Sequence, residues 1–153
     1  MSIADSTGLR ILDHYLAVEA NYLRFADKLL NGLFFPNEVR VAEERSPLTN
    51  LFDDLSSAEL QYFDQAAIPI DNRSDMLDRA ERGEALSVRE SLFLLQMSLR
   101  NWTSVTLAGH DGTYITVGDD YYFLVGLPQS VDIGQFLPSA GLYAYPSAAS
   151  PFD

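Results

Sequence analysis

The apolar positions near the start of the chain repeat with the period of an α-helix. Two adjacent apolar seams predict a helix over residues 8–31, capped by Ser6 or Thr7 and ended at Asn31-Gly32. The apolar face is wider than a two-helix seam requires, so it favours a central core helix or one shared with another subunit. One seam comprises Ile11, Tyr15, Val18, Tyr22, Phe25 and Leu29, and the other Leu12, Leu16, Glu19, Leu23, Ala26 and Leu30.

Helical signals continue to about Arg100. Two capping boxes, Ser56 to Glu59 and Ser87 to Glu90, each predict a helix start. The helix after Ser87 is apolar almost all round, as is typical of the centre of a domain. The other predicted elements are a short extended piece around Val39-Arg40-Val41, a helix starting at Ser46-Pro47 and a charged helix over residues 74–82.

After Asn101 the apolar period changes from 3.6 to 2, which indicates strands. We expect strands over residues 102–108, 113–117 and 121–125, joined by turns rich in Gly and Asp. The predicted fold is α+β: a helical N-terminal two-thirds, a three-stranded antiparallel β-meander and an extended C-terminal tail. The buried core is expected to include Leu16, Leu23, Leu92, Leu95, Leu99, Val105 and Ile115.

The segment after Arg100 has an unusual composition. It contains no lysine or arginine, but five carboxylates, nine aromatic residues and four of the seven prolines. We expect this aromatic surface to be buried, on this chain or on another, because a free and solvated tail would be polar and poor in aromatic residues. We divide the chain into a single α+β domain over 1–126, with its meander over 102–126, and a docking tail over 127–153.

The tail is expected to lie extended against another protein surface, most readily a neighbouring subunit of a homo- or hetero-oligomer. The alternative is a tail folded back over the chain's own helices. The large apolar side chains of the tail favour docking, because burying each of them away from water is stabilising. The predicted partner-binding residues are Phe136, Leu137, Leu142, Tyr143, Tyr145 and Phe152.

The composition of the chain limits the classes of partner and the cellular compartment that we expect. The chain has 153 residues, 47% of them hydrophobic, and a net charge of −12. That charge disfavours nucleic acid and anionic membranes as partners. The absence of cysteine excludes disulfides and thiolate metal sites. Because neither a signal peptide nor a long apolar run is read, we expect a cytoplasmic protein, or part of a particle assembled in the cytoplasm.

Few residues are candidates for a catalytic or metal-binding site. The turns containing His110-Asp111 and Asp119-Asp120 flank one predicted strand, about 20 Å apart, so they do not form a joint site. Ordinary turn chemistry explains them, with a weak calcium contact at Asp119-Asp120 as the alternative. His14 is expected at a helix surface, and Asp53-Asp54 on a solvated helix face. No catalytic residue, cofactor or metal is predicted.

Three classes of function remain open. The first is a non-enzymatic structural or interaction subunit of a larger assembly, of which viral particle accessory proteins (head decoration, neck or tail adaptor subunits) are one population. The second is an acidic inhibitor or immunity-type protein that binds a basic partner. The third is a small-ligand binder or an enzyme. The wide apolar face of the first helix and the cation-free aromatic tail favour the first class.

Overall fold

The computed structural model describes residues 6–33, 39–44, 47–53, 55–109, 112–118, 122–127, 131–137 and 142. These residues form an α+β fold, which confirms the predicted class. The helices are α1 Ser6–Leu33, α2 Ser57–Phe63, α3 Arg73–Glu81 and α4 Val88–Leu99. The strands are β1 Arg40–Glu44, β2 Val105–Ala108, β3 Tyr114–Val117 and β4 Phe123–Gly126, and two short 3-10 helices span Leu48–Asn50 and Ile133–Phe136.

Among the described residues the sheet has four antiparallel strands in the order β1-β2-β3-β4, one more than the predicted meander. The extended piece predicted around Val39-Arg40-Val41 continues to Glu44 and pairs with β2. The register shifts between Val41 and Glu43, so an irregularity interrupts the alternation of inward and outward side chains. This irregularity and the long connection to β2 explain why local pattern indicated neither the full length of the strand nor its pairing with β2.

The helix starts follow local hydrogen bonding. The predicted capping box of α4 is present, with Ser87 and Glu90 each accepting a backbone N–H from the other. In α2, Ser56 Oγ accepts the N–H of Glu59 at 3.2 Å. The side chain that caps α3 belongs to Asn72, one residue before the helix. The helix predicted from Ser46-Pro47 is a single 3-10 turn over Leu48–Asn50, and Pro47, its N-cap residue, provides no side-chain cap.

The hydrophobic core lies between the C-terminal half of α1, α3, α4 and one face of the sheet. Among the predicted core residues, Leu95, Leu99, Val105 and Ile115 are buried, which confirms them. The remaining three, Leu16, Leu23 and Leu92, are only half-buried, so their prediction was wrong. Periodicity identifies the side of a helix that faces inward, but not how far its neighbours extend along it.

Candidate interaction surfaces

A buried ionic network joins α1 to the end of α4. The Glu19 and Arg100 side chains are 2% and 5% exposed. Arg100 donates from Nε to Glu19 Oε2 and from Nη2 to Glu19 Oε1, both at 2.8 Å. Gln96, one turn earlier on α4, also donates to Glu19 Oε1 at 2.8 Å. The Glu19 carboxylate is therefore matched by a bidentate cation and an amide, as a buried charge requires.

The same network holds the turn that follows α2. Arg100 donates to the carbonyl of Gln65 at 2.7 Å, and Gln96 donates to the carbonyl of Ala66 at 3.0 Å. The Gln96 amide oxygen in turn accepts the N–H of Ile68 at 2.9 Å. Ala66 has a φ of 52°, a left-handed conformation that costs a residue with a Cβ some strain. The network thus stabilises a strained turn, and its geometry indicates a structural role.

Sequence reasoning did not identify this network, although one signal was present. Glu19 occupies a position in an apolar seam, where a carboxylate needs a partner. Its cation, Arg100, lies 81 residues away in sequence. No local rule connects two such positions.

A second ionic cluster links α3 to the start of α4. Arg79 contacts Glu90, and its Nε donates to Asp75 Oδ2 at 2.9 Å. Partial burial pushes the pKa of the Glu90 carboxyl up, but hydrogen bonds from Arg79 and from the Ser87 backbone outweigh it, so the net shift is downward. Hydrogen bonds to Glu90 and Asp75 raise the pKa of the Arg79 guanidinium. The charged pair therefore reinforces the capping box.

We expect Ser87→Ala to lower the free energy of unfolding by about 1 kcal/mol, because the N–H of Glu90 then loses its capping acceptor. Urea denaturation measures the effect. Ser74→Ala is the matched control, since Ser74 is an exposed serine inside α3, where Asn72 provides the cap. Equal losses in the two variants would contradict a specific role for the Ser87 cap.

The two outer strands of the sheet differ in their side chains. In β1, Arg40 and Glu43 are exposed, and Arg40 Nη1 donates to the Gly83 carbonyl at 2.7 Å. Burial, and secondarily the charge of Glu81, raises the pKa of the Glu44 carboxyl. Charges and a register shift protect an edge strand from pairing with another chain. In β4 none of the four residues is charged.

The sheet face opposite the helices carries tyrosines that lie over glycines. The Tyr114 ring covers Gly126 on the neighbouring strand, and the Tyr122 ring covers Gly118. A Cβ on Gly126 would lie 2.0 Å from Tyr114 Cε1, and one on Gly118 would lie 2.2 Å from Tyr122 Cε2. Tyr122 is 42% exposed, and among the described residues it is the one large hydrophobic side chain in the exposed class. This face combines apolar and hydroxyl surface, as many protein interfaces do.

The N-terminal half of α1 presents a second apolar surface. From residue 14 to residue 23 the large apolar side chains are half-buried, while the buried apolar residues of the helix begin at Phe25. At the boundary, Tyr22 packs edge-on against Phe123 of β4, with ring centroids 5.1 Å apart. We call the half-buried side chains Tyr15, Leu16, Val18, Tyr22 and Leu23 the α1 stripe.

The structure describes three of the six predicted partner-binding residues. Phe136, Leu137 and Leu142 are half-buried and pack against the chain's own hydrophobic core. Phe136 closes on α1, where a Cβ on Gly32 would lie 2.6 Å from its ring. This part of the predicted tail folds back on the domain, and residues 133–136 form a 3-10 helix rather than an extended strand. Tyr143, Tyr145 and Phe152 lie outside the described residues.

The other candidate residues give no chemical site. His14 is exposed on α1, while His110-Asp111 and Asp119-Asp120 lie outside the described residues. Within the described ranges, no group of three or more His, Cys, Asp or Glu side chains could hold a metal ion. None of the described helices has the length and apolar character needed to cross a membrane.

No protein-family model, curated protein or solved structure matches this chain.

Proposed function

We propose that the chain is a non-enzymatic structural subunit of a larger protein assembly. The observation that carries the proposal is the α1 stripe, in which apolar side chains continue the inward face of the helix but remain partly exposed. Partly exposed apolar surface is stabilised when a partner removes it from water. Accessory subunits of viral particles are one class of protein that would use such a surface.

The aromatic sheet face supports the same proposal independently. Tyr122 exposes a large ring beside Leu124, on a face without a covering helix among the described elements. Tyrosine is enriched at interfaces because it adds apolar area and a hydrogen-bonding hydroxyl at small entropic cost. Two separate apolar surfaces suit a subunit with more than one neighbour.

The tail contributes in two parts under this proposal. Its first part, with Phe136, Leu137 and Leu142, anchors to the chain's own core. The distal residues Tyr143, Tyr145 and Phe152 remain predicted contacts with a neighbouring subunit. Packing of the first part on the chain's own core would fix the start of the tail, and so limit how far its distal residues can reach toward a neighbouring subunit.

Two truncations test the role of the tail. A chain that ends after Leu142 keeps the anchored side chains, so we expect near-normal melting but a loss of assembly. A chain that ends after Leu127 also loses four half-buried apolar side chains that pack on the core, Ile133, Phe136, Leu137 and Leu142, so its unfolding free energy should fall by about 3–6 kcal/mol. Thermal melting and native mass spectrometry measure the two effects.

The outcomes separate the parts of the proposal. Full assembly by the chain that ends after Leu142 would exclude the distal residues as partner contacts. Unfolding of that chain would place the distal residues in the domain's own core. A full-length chain that stays monomeric at all concentrations, and binds no protein of its native source, would contradict the assembly function itself.

A further inference from the structure

Residues 56–67 leave the hydrophobic core and return to it. Leu55 and Ile68, which flank this segment, are half-buried side chains that both pack against the core. Between them the chain forms α2 and the turn that follows it. Most of the side chains that the structure describes in this segment are exposed, and those of Leu60 and Ala67 are half-buried. We call residues 56–67 the α2 flap, because the core holds the residues at its two ends.

The helix of the flap is too short to be stable by itself. α2 has seven residues, Ser57–Phe63, whereas isolated helices shorter than about 12–15 residues are marginal in water. The main contacts between the described elements join α1, α3, α4, the strands and the two 3-10 helices, and α2 takes part in none of them. Packing against other helices or strands therefore contributes little to holding the flap closed.

Hydrogen bonds from α4 and its C-terminal cap hold the end of the flap. Arg100 donates to the carbonyl of Gln65 at 2.7 Å, and Gln96 donates to the carbonyl of Ala66 at 3.0 Å. The amide oxygen of Gln96 accepts a third bond, at 2.9 Å, from the first backbone N–H beyond the flap. Glu19 fixes both side chains from inside the domain. We call these three hydrogen bonds the latch.

An ion pair at the surface adds a weaker attachment. Arg73, whose guanidinium lies 5.4 Å from the ring centroids of Phe52 and Phe93, contacts Asp64 of the flap at 2.7 Å. The Asp64 side chain is 51% exposed, and exposed pairs contribute little because water and salt screen them. Closure of the flap therefore depends mainly on the latch.

The conformation of Ala66 opposes closure. Its φ of 52° lies in the left-handed region, where a residue with a Cβ is strained. Opening releases this strain, and water then bonds to the carbonyls that the latch sets free. Few packing contacts, exposed backbone and local strain are typical of segments that open at a much lower free energy than the whole domain.

We propose that the α2 flap opens and closes as a unit while the core stays folded, with Gln96 and Arg100 as its latch. Opening gives water access to the buried network, in which the Arg100 and Glu19 side chains are 5% and 2% exposed. Elements that move when a ligand or partner binds are drawn from such segments of low stability. The inference concerns the isolated chain, so it does not depend on the assembly function.

Hydrogen exchange at single amides tests the opening. The N–H groups of Leu60, Asp64 and Ala67 are hydrogen-bonded within the flap, so their exchange requires these bonds to break. Corrected for intrinsic rates, we expect them to exchange at least about 100-fold faster than the amide of Leu95, inside α4, and with similar protection to one another. Exchange as slow as at Leu95, or protection that differs widely among the three amides, would overturn the proposal.

Low concentrations of urea separate local opening from global unfolding. The dependence of exchange on urea grows with the surface that the opening exposes. The flap is a small part of the 153 residues, so its exchange should be nearly independent of urea below the unfolding transition. Exchange at Leu95 should accelerate steeply over the same range. A parallel dependence for flap and core amides would mean that the flap opens only with the whole domain.

Gln96→Met tests the latch, because it removes two of the three hydrogen bonds at similar side-chain volume. We expect exchange at Leu60 and Asp64 to accelerate by about 10- to 100-fold, the effect of two hydrogen bonds. Gln61→Met is the matched control at an exposed position of α2, and it should leave these rates unchanged within about threefold. Equal rates in the two variants would exclude Gln96 from the latch.

Ala66→Gly makes a change of opposite sign in a chain that keeps the whole latch. Glycine adopts a positive φ without strain, so exchange at Leu60 and Asp64 should slow by about threefold or more. Ala58→Gly is the matched control, since glycine inside α2 weakens the helix and should accelerate exchange. Faster exchange in Ala66→Gly would show that strain at Ala66 does not favour opening, and would overturn this part of the mechanism.

Discussion

Arg100→Met is expected to destabilise the chain by about 3–5 kcal/mol, because it leaves a buried carboxylate without its cation. Glu19 is 2% exposed and receives two hydrogen bonds from Arg100. After the substitution the amide of Gln96 remains beside the carboxylate, but an amide does not compensate a full charge in a dry site. Urea denaturation followed by circular dichroism gives the change in unfolding free energy.

The double variant Glu19→Met/Arg100→Met separates the cost of the unpaired charge from the value of the pair. We expect it to recover most of the lost stability, since apolar side chains of similar volume often replace a buried ion pair without loss. Arg89→Met is the matched control at an exposed position of α4, with an expected change within about 0.5 kcal/mol. A loss below about 1 kcal/mol in the single variant would mean that water reaches the Glu19 carboxylate.

The network also shows where prediction from sequence reaches its limit. A carboxylate in an apolar seam indicates that a cation or hydrogen-bond donor lies beside it, because an unpaired charge is too costly to bury. It does not identify Arg100, since the pairing is set by how α1 and α4 cross. The capping box at Ser87 was predictable for the opposite reason: its donors and acceptors lie within four residues.

The strands follow the same distinction between local and distant signals. The β2-β3 and β3-β4 pairs connect neighbouring segments, and alternation with turn residues predicted all three strands. The residues that pair with β1 lie between 61 (Glu44 with Val105) and 68 (Arg40 with Ala108) positions later, where no hairpin signal links the two strands. An interrupted alternation at Val41 to Glu43 removed the remaining cue. The extended segment was predicted around Val39-Arg40-Val41, but its full length and its pairing with β2 became visible only in the fold.

The candidate surfaces were predictable in part. The apolar breadth of the first helix raised the question of a second partner, which stays a prediction, but the partial exposure of Leu16 and Leu23 depends on how far the rest of the domain extends along α1. The aromatic richness of the tail was equally plain in the sequence. Its first anchors, Phe136 and Leu137, pack on the chain's own core, a choice that composition does not determine.

Leu95→Ala is expected to lower the free energy of unfolding by about 2–5 kcal/mol, the range for truncating a fully buried leucine. Leu95 is 0% exposed and belongs to the core cluster formed by α4 with α1, α3 and the sheet. The cost combines the lost transfer of the side chain from water with the cavity that the surrounding groups fill incompletely. For a chain of this length the melting temperature should fall by roughly 2–4 °C for each kcal/mol.

Leu92→Ala makes the same chemical change on the same helix, three residues earlier. Leu92 is half-buried, so its truncation should cost clearly less than that of Leu95, because solvent and mobile neighbours relieve the cavity. Paired urea titrations of the two variants measure the difference directly and cancel the effect of leucine on helix propensity. If the two variants lost equal unfolding free energy, Leu92 would have to be buried, either in the core of the chain or in a contact of the assembled protein. A loss below about 1 kcal/mol for Leu95 would remove α4 from the centre of the fold.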